Sequence, residues 1–167
     1  DKGIVVKTAR HKRFLSPPAP FNTTAFLSAA STFLGLSASN AMRIAENLYM
    51  NGFVSYPRVD NTIYPDSLDL REILGILSQG ELGDLCKQLL SQDKITPSKG
   101  KKFATDHPPI HPTDIARKED LKPTEWRVYE MIIRRFLATL APEVEAESMK
   151  IDLDVNGEPF FARGTRI

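Results

Sequence analysis

Hydrophobic residues recur at helical spacing through the middle of the chain. Intervals of three and four residues place the apolar side chains of a helix on one face. Two such stripes precede Gly35 and Gly52, residues suited to end a helix, and a longer one ends before Pro142. The stripes comprise Phe26, Leu27, Ala30, Phe33 and Leu34; Ala41, Ile44, Ala45, Leu48 and Tyr49; and Tyr129, Ile132, Ile133, Phe136, Leu137 and Leu140.

Polar residues in front of these stripes predict where the helices begin. The candidate N-caps are Asn22, Thr23 or Thr24 for the first helix, Ser37 for the second and Thr124 for the long one. Two shorter leucine-rich stripes, at residues 70–77 and 82–90, predict two more helices. Residues 93–118 are polar and contain several prolines, so we expect mostly loop there.

The two ends of the chain follow a different pattern. Residues 4–6 are β-branched, and residues 149–155 alternate between apolar and polar, as strands do. Asn156-Gly157 is typical of a hairpin turn, so residues 160–167 are predicted to form the returning strand.

The fold class that follows is mainly α with flanking β structure. We place one strand in residues 1–17, a helical domain in residues 18–146 and the hairpin in residues 147–167. Strands at both ends suggest that the helical domain is inserted into a β-rich domain, truncated in this chain. Two short helices followed by an extended segment at residues 53–56 are typical of a winged-helix, CAP-like domain.

Composition narrows the class of protein. Hydrophobic residues make up 41% and charged residues 26%, as in ordinary soluble domains. No apolar run approaches the roughly 18 residues of a membrane span, and no signal core follows the start, so we expect a cytoplasmic protein with no membrane partner. Cys86 is the single cysteine, which rules out an internal disulfide and a thiolate zinc cage.

The formal net charge of +1 leaves nucleic-acid binding open. Basic residues nevertheless cluster in two short stretches, which are either solvated loops or contacts to a phosphate backbone. The stretches contain Lys7, Arg10, Lys12 and Arg13, and Lys99, Lys101 and Lys102.

The segment at residues 52–60 combines three chemically useful side chains. Pro57 favours extended backbone at the residue before it. An extended run projects Tyr56, Arg58 and Asp60 from one face, so a phenol, a guanidinium and a carboxylate would share one patch. Taken alone, this pattern is more typical of an edge strand with an exposed salt bridge.

Three ordered blocks of the sequence resemble the type IA DNA topoisomerases. Residues 52–60, Gly-Phe-Val-Ser-Tyr-Pro-Arg-Val-Asp, are similar to the family's active-site signature, Gly-Leu/Tyr-Ile-Thr/Ser-Tyr-Met/Pro-Arg-Thr-Asp/Glu. The stretch from Pro18-Ala19-Pro20-Phe21 to Leu48-Tyr49 also resembles the family. So does the stretch Asp106-His107-Pro108-Pro109-Ile110-His111-Pro112-Thr113.

The resemblance implies a reaction. The family consists of ATP-independent isomerases that cleave one DNA strand by transesterification, hold it as a 5′-phosphotyrosyl intermediate, pass a strand and rejoin the break. Implied roles are nucleophile for Tyr56, phosphate clamp for Arg58, and orientation of Arg58 or a neighbouring group for Asp60. A phenol with a pKa near 10 is only about 0.1% ionised at pH 7, so the reaction needs the charge stabilisation that a guanidinium offers.

The same resemblance implies that His107 contacts a DNA phosphate. Arg43, on the polar face of the second helix, and Lys101 and Lys102 are further candidates for DNA binding. His107 and His111 have a spacing that suits zinc on a helix, but the intervening prolines disfavour that helix, so we expect no metal site in the chain.

The family binds Mg²⁺ through a Glu and an Asp-x-Asp-x-Glu cluster in a Toprim domain, and this cluster is absent from the sequence. We therefore expect a fragment that acts on single-stranded DNA, depends on the Toprim and other domains of a full-length chain for Mg²⁺, and is inactive by itself. The alternatives are a non-enzymatic winged-helix DNA-binding module and a pure interaction domain. Neither accounts for the Tyr-Pro-Arg sequence at residues 56–58.

Overall fold

The computed structural model describes residues 2–166 and divides into two compact units. The helical unit is Pro17–Ala141, and the sheet unit combines the residues up to Ser16 with those from Pro142 onward. The helices are α1 (Thr23–Leu34), α2 (Ala38–Met50), α3 (Leu70–Leu77), α4 (Gly83–Leu90) and α5 (Pro123–Leu140), and a 3-10 turn spans Lys118–Asp120. The strands are β1 (Ile4–Leu15), β2 (Val144–Val155) and β3 (Glu158–Arg166).

Capping interactions explain where the first two helices begin and end. The side chain of Asn22 accepts a hydrogen bond from the backbone N–H of Ala25 at 2.9 Å, and Ser37 caps α2 in the same way. Gly35 ends α1 with a φ of 68°, a left-handed conformation that glycine adopts without strain. Both helices therefore lie where the apolar stripes predict them.

The prediction that Thr124 caps α5 is wrong. The helix begins at Pro123, with Lys122 in the N-cap position. Proline is favoured at the first helical position because it has no N–H that would be left unpaired there. The carboxylate of Glu125 accepts the backbone N–H of Lys122 at 3.1 Å and completes the cap.

Helix α5 forms the centre of the core in the helical unit. Nine of its residues are buried, and α1, α2 and α4 pack against it. Trp126 and Tyr129 are 7% and 1% exposed, so they belong to the core rather than to a base-stacking surface. Burial of a large apolar side chain contributes about 1.5–3 kcal/mol, and the helices are held together mainly by this core.

The sheet unit is a three-stranded antiparallel sheet in the order β1–β2–β3. Asn156 and Gly157 have φ angles of 54° and 85°, as a tight hairpin turn between β2 and β3 requires. β2 begins at Val144, so residues 144–146 belong to the sheet and not to the helical domain in which the sequence analysis included them.

Strand β1 extends to Leu15, well beyond the β-branched residues that predicted it. Lys7 and Lys12 lie opposite Asp152 and Glu147 of β2, and Lys12 also forms an ion pair with Glu145 at 2.7 Å. The interpretation of this basic stretch as a solvated loop is therefore wrong. Local patterns could not predict the strand, because its pairing partners are distant in sequence.

The mainly α fold with flanking antiparallel strands is confirmed, whereas the winged-helix assignment stays a prediction. Among residues 2–166, no helix is both long enough and apolar enough to cross a membrane.

Candidate active site

The backbone in front of Tyr56 is held by the proline-rich segment at residues 109–113. The N–H of Ser55 donates to the carbonyl of His111 at 2.9 Å, and the N–H of His111 donates to Ser55 Oγ at 3.0 Å. The N–H of Thr113 donates to the carbonyl of Phe53 at 3.0 Å. These bonds fix the backbone that leads into Tyr56, although Tyr56 lies outside any regular strand.

The backbone behind Tyr56 is held by the start of α1. Thr23 Oγ1 donates to the carbonyl of Pro57 at 2.7 Å and accepts the N–H of Val59 at 2.8 Å. The N–H of Thr23 donates to the carbonyl of Val59 at 2.9 Å. Tyr56 is thus anchored on both sides by segments that are remote in sequence.

Side chains alternate in exposure along this segment. Pro57 and Val59 are buried, whereas Arg58 and Asp60 are exposed and Tyr56 is half-buried. This alternation agrees with the extended backbone that Pro57 predicts. The two exposed charged residues have separate partners, so they do not form a salt bridge with each other.

The ring of Tyr56 lies between a helix and a loop. Its centroid is 5.4 Å from that of Tyr49 on α2, in an edge-to-face arrangement, and 4.9 Å from that of His107. Such aromatic contacts contribute about 0.5–1.5 kcal/mol each and restrict the ring to one orientation. The phenol is therefore positioned while its side chain remains accessible.

The other tyrosines have different environments. Tyr64 and Tyr129 are 5% and 1% exposed, whereas Tyr49 is 41% exposed. Burial raises the pKa of Tyr129 to about 12 and also raises the pKa of Tyr64. A buried phenol with a raised pKa is a poor nucleophile, so only Tyr49 and Tyr56 are accessible for chemistry.

Arg58 forms an ion pair with Glu46 on α2. Its Nε and one terminal nitrogen lie 2.7 and 2.6 Å from Glu46 Oε1, with both side chains partly exposed. The sequence analysis did not single out Glu46. The sequence held no signal for this pair, because it depends on how α2 packs beside the Tyr56 segment.

Asp60 contacts a neighbouring cation and not Arg58. Its carboxylate lies 2.8 Å from Lys102 Nζ and accepts a hydrogen bond from Asn22 Nδ2 at 3.0 Å. The hydrogen bond from Lys102 is the main cause that lowers the pKa of Asp60. The sequence left open whether Asp60 contacts Arg58 or a neighbouring group, and the structure pairs it with the neighbouring residues Lys102 and Asn22.

Asn61 holds the loop that carries His107. It is 3% exposed, and its Nδ2 donates to the carbonyls of Ala104 and His107 at 2.8 and 3.2 Å. Its Oδ1 accepts the N–H of Ile63 at 2.9 Å. The imidazole of His107 is exposed above this support and contacts the Tyr56 ring. Asn61 is a supporting residue that the sequence analysis did not identify.

The lysine-rich loop is fixed by Thr62. The carbonyl of Thr62 accepts the N–H of Gly100, and its N–H donates to the carbonyl of Lys102, both at 2.9 Å. A β-carbon at position 100 would overlap the Thr62 side chain, so this close approach requires glycine. The loop presents the exposed side chain of Lys101 beside the Asp60–Lys102 pair.

The two histidines of the proline-rich block are separated by burial. His111 is 4% exposed, its Nδ1 lies 2.7 Å from the carbonyl of Pro109, and desolvation lowers its pKa. His107 is exposed. Within the part of the chain that the structure describes, no group of three His, Cys, Asp or Glu residues is placed to bind a metal.

Comparison with known proteins identifies the family. A family model described as DNA topoisomerase matches residues 1–167. The chain belongs to the type IA DNA topoisomerase family. It is 50% identical over 150 residues to DNA topoisomerase 1 of Archaeoglobus fulgidus, covering 90% of this chain and 22% of that protein. It is 34% identical to DNA topoisomerase 3 of Caenorhabditis elegans, covering 98% of this chain and 22% of that protein.

A solved structure supports the same assignment. Full-length topoisomerase I from Thermotoga maritima superimposes with a TM-score of 0.63 and 25% identity, covering 98% of this chain and 27% of that chain. This topoisomerase chain therefore spans about a fifth of the length of these curated relatives.

The three blocks that resemble the topoisomerase family lie side by side in this chain. Phe21, from the first block, forms an isolated β-bridge with Ile110 of the third. Val54, from the second block, forms another with Pro112. The third block thus joins the other two, which explains why blocks so distant in sequence belong to one site. Arg43 lies on α2, one turn before Glu46, and its guanidinium donates to Asn40 at 2.8 Å.

Proposed function

We propose that this chain carries the DNA-cleaving tyrosine of a type IA topoisomerase and that Tyr56 is the nucleophile. The observation that carries the proposal is the placement of Tyr56: a half-buried phenol fixed against His107, two residues from an exposed guanidinium. In the proposed reaction the phenolic oxygen bonds to phosphorus as the bond to the 3′ oxygen breaks. The phenol loses a proton, and the leaving 3′ oxygen gains one and becomes a hydroxyl.

Charge stabilisation is the main task of the surrounding residues. A phenol in water has a pKa near 10, and its full deprotonation at pH 7 costs about 4 kcal/mol. Arg58 can donate two hydrogen bonds to the phosphate, and His107 can donate one. These donors would stabilise the negative charge of the pentavalent transition state, which is how proteins generally assist phosphoryl transfer.

To bind DNA phosphates, Arg58 and Lys102 must give up the carboxylates with which they are paired. Arg58 is paired with Glu46 and Lys102 with Asp60, whereas Arg43 and Lys101 are exposed without a carboxylate in contact among residues 2–166. Exposed ion pairs contribute roughly 0–1 kcal/mol, so a phosphate can replace either carboxylate at low cost. We infer that single-stranded DNA is the substrate, because the chain belongs to a family whose members cleave one DNA strand.

Mg²⁺ does not fit the residues of this chain. Glu46 and Asp60 each already form an ion pair with a cation, and no group of three His, Cys, Asp or Glu residues within residues 2–166 is placed to bind a metal. We therefore infer that Mg²⁺ is bound by the Toprim domain of a full-length chain, and that the isolated chain neither cleaves nor rejoins DNA.

The proposal is tested by trapping the covalent adduct in the full-length enzyme. An oligonucleotide labelled at its 3′ end marks the fragment whose 5′ phosphate is joined to protein. Tyr56→Phe should abolish the labelled adduct and leave oligonucleotide binding within about twofold, because the ring and its contacts remain. Tyr49→Phe, at the neighbouring accessible tyrosine, is the matched control and should retain the adduct. An adduct that persists in Tyr56→Phe contradicts the proposal, and absence of any adduct in the unmodified enzyme favours a non-enzymatic winged-helix module.

A further inference from the structure

The strand register places one set of charged residues on a single face of the sheet. Residues on β1, β2 and β3 that lie opposite one another form transverse rows, since side chains of paired residues share a face. One row contains Ala9, Lys150 and Arg163, and the next contains His11, Ser148 and Thr165. Together with Lys7, Arg13 and Phe161 they form what we call the basic face.

The basic face carries positive charge that its own carboxylates do not match. Its two acidic residues lie toward the hairpin: Asp152 pairs with Lys150 at 2.6 Å, and Asp154 accepts the N–H of Gly157. No carboxylate occupies the part of the face around Arg13 and Arg163 within residues 2–166.

The opposite face of the same sheet is balanced. Lys12 pairs with Glu145 at 2.7 Å, and Arg10 lies 3.9 Å from Glu147. The remaining residues of that face are mainly apolar, among them Met149 and Phe160. The difference between the faces shows that the excess positive charge is a local property of the basic face and not of the strands in general.

Small side chains make the basic face concave. Ala9 and Ser148 lie at its centre, with the longer side chains of Arg13, Lys150 and Arg163 around them, and the resulting groove has a volume of about 450 Å³. Hydroxyl and imidazole groups of Ser148, Thr165 and His11 also line the groove and offer hydrogen-bond donors.

An exposed aromatic ring lies beside this groove. Phe161 is 63% exposed, with Lys150 Nζ 5.5 Å and the Arg163 guanidinium carbon 5.1 Å from its ring centroid. Cations near the ring restrict its position while one surface of it stays open to solvent. A ring in this setting can stack on a planar base.

We propose that the basic face is a second binding surface for single-stranded nucleic acid, with Arg13 and Arg163 contacting phosphates and Phe161 stacking on a base. A cationic groove with an accessible aromatic ring is the combination that binds single strands without sequence preference. An acidic protein segment would use the cations but not the ring. All the residues belong to the sheet unit, so the proposal does not depend on Tyr56 being a nucleophile.

Tryptophan fluorescence gives a readout at the ring itself. The single tryptophan, Trp126, is replaced by Phe, and a new tryptophan is introduced as Phe161→Trp or as Phe160→Trp. Phe160 is the matched control because it is the adjacent residue, is 55% exposed and points to the opposite face. A 12-nucleotide oligo-dT should quench the fluorescence of the Phe161→Trp variant at least twofold more than that of the Phe160→Trp variant. Equal quenching, or none in the Phe161→Trp variant, overturns the proposal.

A second titration separates nucleic acid from acidic protein. Polyglutamate with the same number of charges is added to the Phe161→Trp chain at equal ionic strength. We expect it to cause less than a quarter of the quenching seen with oligo-dT, since it has no bases to stack. Equal quenching by polyglutamate overturns the assignment to nucleic acid.

Charge removal tests the phosphate contacts. Each phosphate contact on a single strand adds about 0.7 to the slope of log affinity against log salt, so over a fourfold rise in salt it changes affinity about 2.5-fold. Arg163→Ala and Arg13→Ala should each lower that slope by about 0.7. Arg10→Ala, on the opposite face, should leave it unchanged. An equal effect of Arg10→Ala would show that only the net charge matters and would overturn the proposal.

Discussion

The two units of the molecule differ in how they use large aromatic residues, because every buried aromatic side chain among residues 2–166 lies in the helical unit. Phe26 and Phe136 of the helical unit are both 0% exposed, whereas Phe160 and Phe161 of the sheet unit are 55% and 63% exposed. The helices are held together by buried side chains, and the sheet is held together by its backbone ladder. The sheet therefore keeps its side chains available for contacts, while the helical unit can hold the residues around Tyr56 in fixed positions.

Polar groups show the same difference. In the helical unit Asn61 and Thr62 are 3% and 8% exposed and use their side chains to hold the loops of the site. In the sheet unit the ion pair between Lys12 and Glu145 remains in water. We therefore expect substitutions in the helical unit to affect folding and the site together, and substitutions in the sheet unit to affect mainly binding.

The largest expected contrast is between a buried and an exposed phenylalanine. Phe136→Ala should lower the free energy of unfolding by about 3–5 kcal/mol, because it removes a large side chain and leaves a cavity. Phe160→Ala should change it by less than about 0.5 kcal/mol. Urea unfolding followed by circular dichroism measures both. Similar losses for the two variants would mean that the sheet face is as tightly packed as the helical core.

Loss of Asn61 tests whether buried polar groups connect folding to the site. Asn61→Ala leaves two carbonyls and one N–H without their partners, which should lower the free energy of unfolding by about 1–3 kcal/mol. The His107 loop should also lose its position, so adduct formation by the full-length enzyme should fall. Gln88→Ala, which shortens an exposed amide side chain on α4, is the control. Unchanged adduct formation in a folded Asn61→Ala enzyme would show that the loop does not need this support.

The sequence predicted the helices better than the site. Helical periodicity depends on neighbouring residues, and the stripes containing Phe26 and Phe136 therefore identified α1 and α5. The extent of β1 was not predictable in this way, because Lys12 and Arg13 are held in a strand by residues more than 130 positions away.

The partners of the candidate residues were equally hard to predict. The spacing of Tyr56, Arg58 and Asp60 indicated a common face, but it gave no sign that Glu46 would pair with Arg58 or Lys102 with Asp60. Such contacts depend on how helices and loops meet in three dimensions. The resemblance to a family supplied candidate residues, and the fold supplied their neighbours.

A pH titration compares a buried histidine with an exposed one. Desolvation lowers the pKa of His111 below its ordinary value of 6.5, so below that pH the unfolded chain binds a proton that the folded chain does not. Its contribution to stability is present above pH 6.5 and is lost as the pH falls. Between pH 7.5 and 5.5 the loss should be up to about 1.4 kcal/mol.

Urea unfolding followed by Trp126 fluorescence measures this loss in the helical unit. In His111→Asn, whose side-chain amide can replace the bond to Pro109, the pH dependence should be smaller by that amount. His11→Asn, in the sheet unit, controls for removal of a histidine. An unaltered pH dependence in His111→Asn would show that the buried imidazole is not responsible.

The smallest expected effect compares two similar ion pairs. Glu46 pairs with Arg58 at 2.6 Å in the helical unit, and Glu145 pairs with Lys12 at 2.7 Å in the sheet unit. Because all four side chains are more than a third exposed, Glu46→Gln and Glu145→Gln should each change stability by less than about 1 kcal/mol. Their effects on DNA should differ, since only Glu46 competes with a phosphate for a residue next to Tyr56.

Glu46→Gln should therefore tighten oligonucleotide binding up to about fivefold at low salt, corresponding to at most about 1 kcal/mol, and the gain should shrink as salt screens the charges. Glu145→Gln should leave binding within about 1.5-fold, because Lys12 lies on the sheet face opposite the basic face. Fluorescence anisotropy at 50 and 200 mM salt compares the variants. Weaker binding by Glu46→Gln would show that the carboxylate holds Arg58 in the orientation that the phosphate needs. In that case the helical unit would position the guanidinium through Glu46, just as it positions His107 through Asn61.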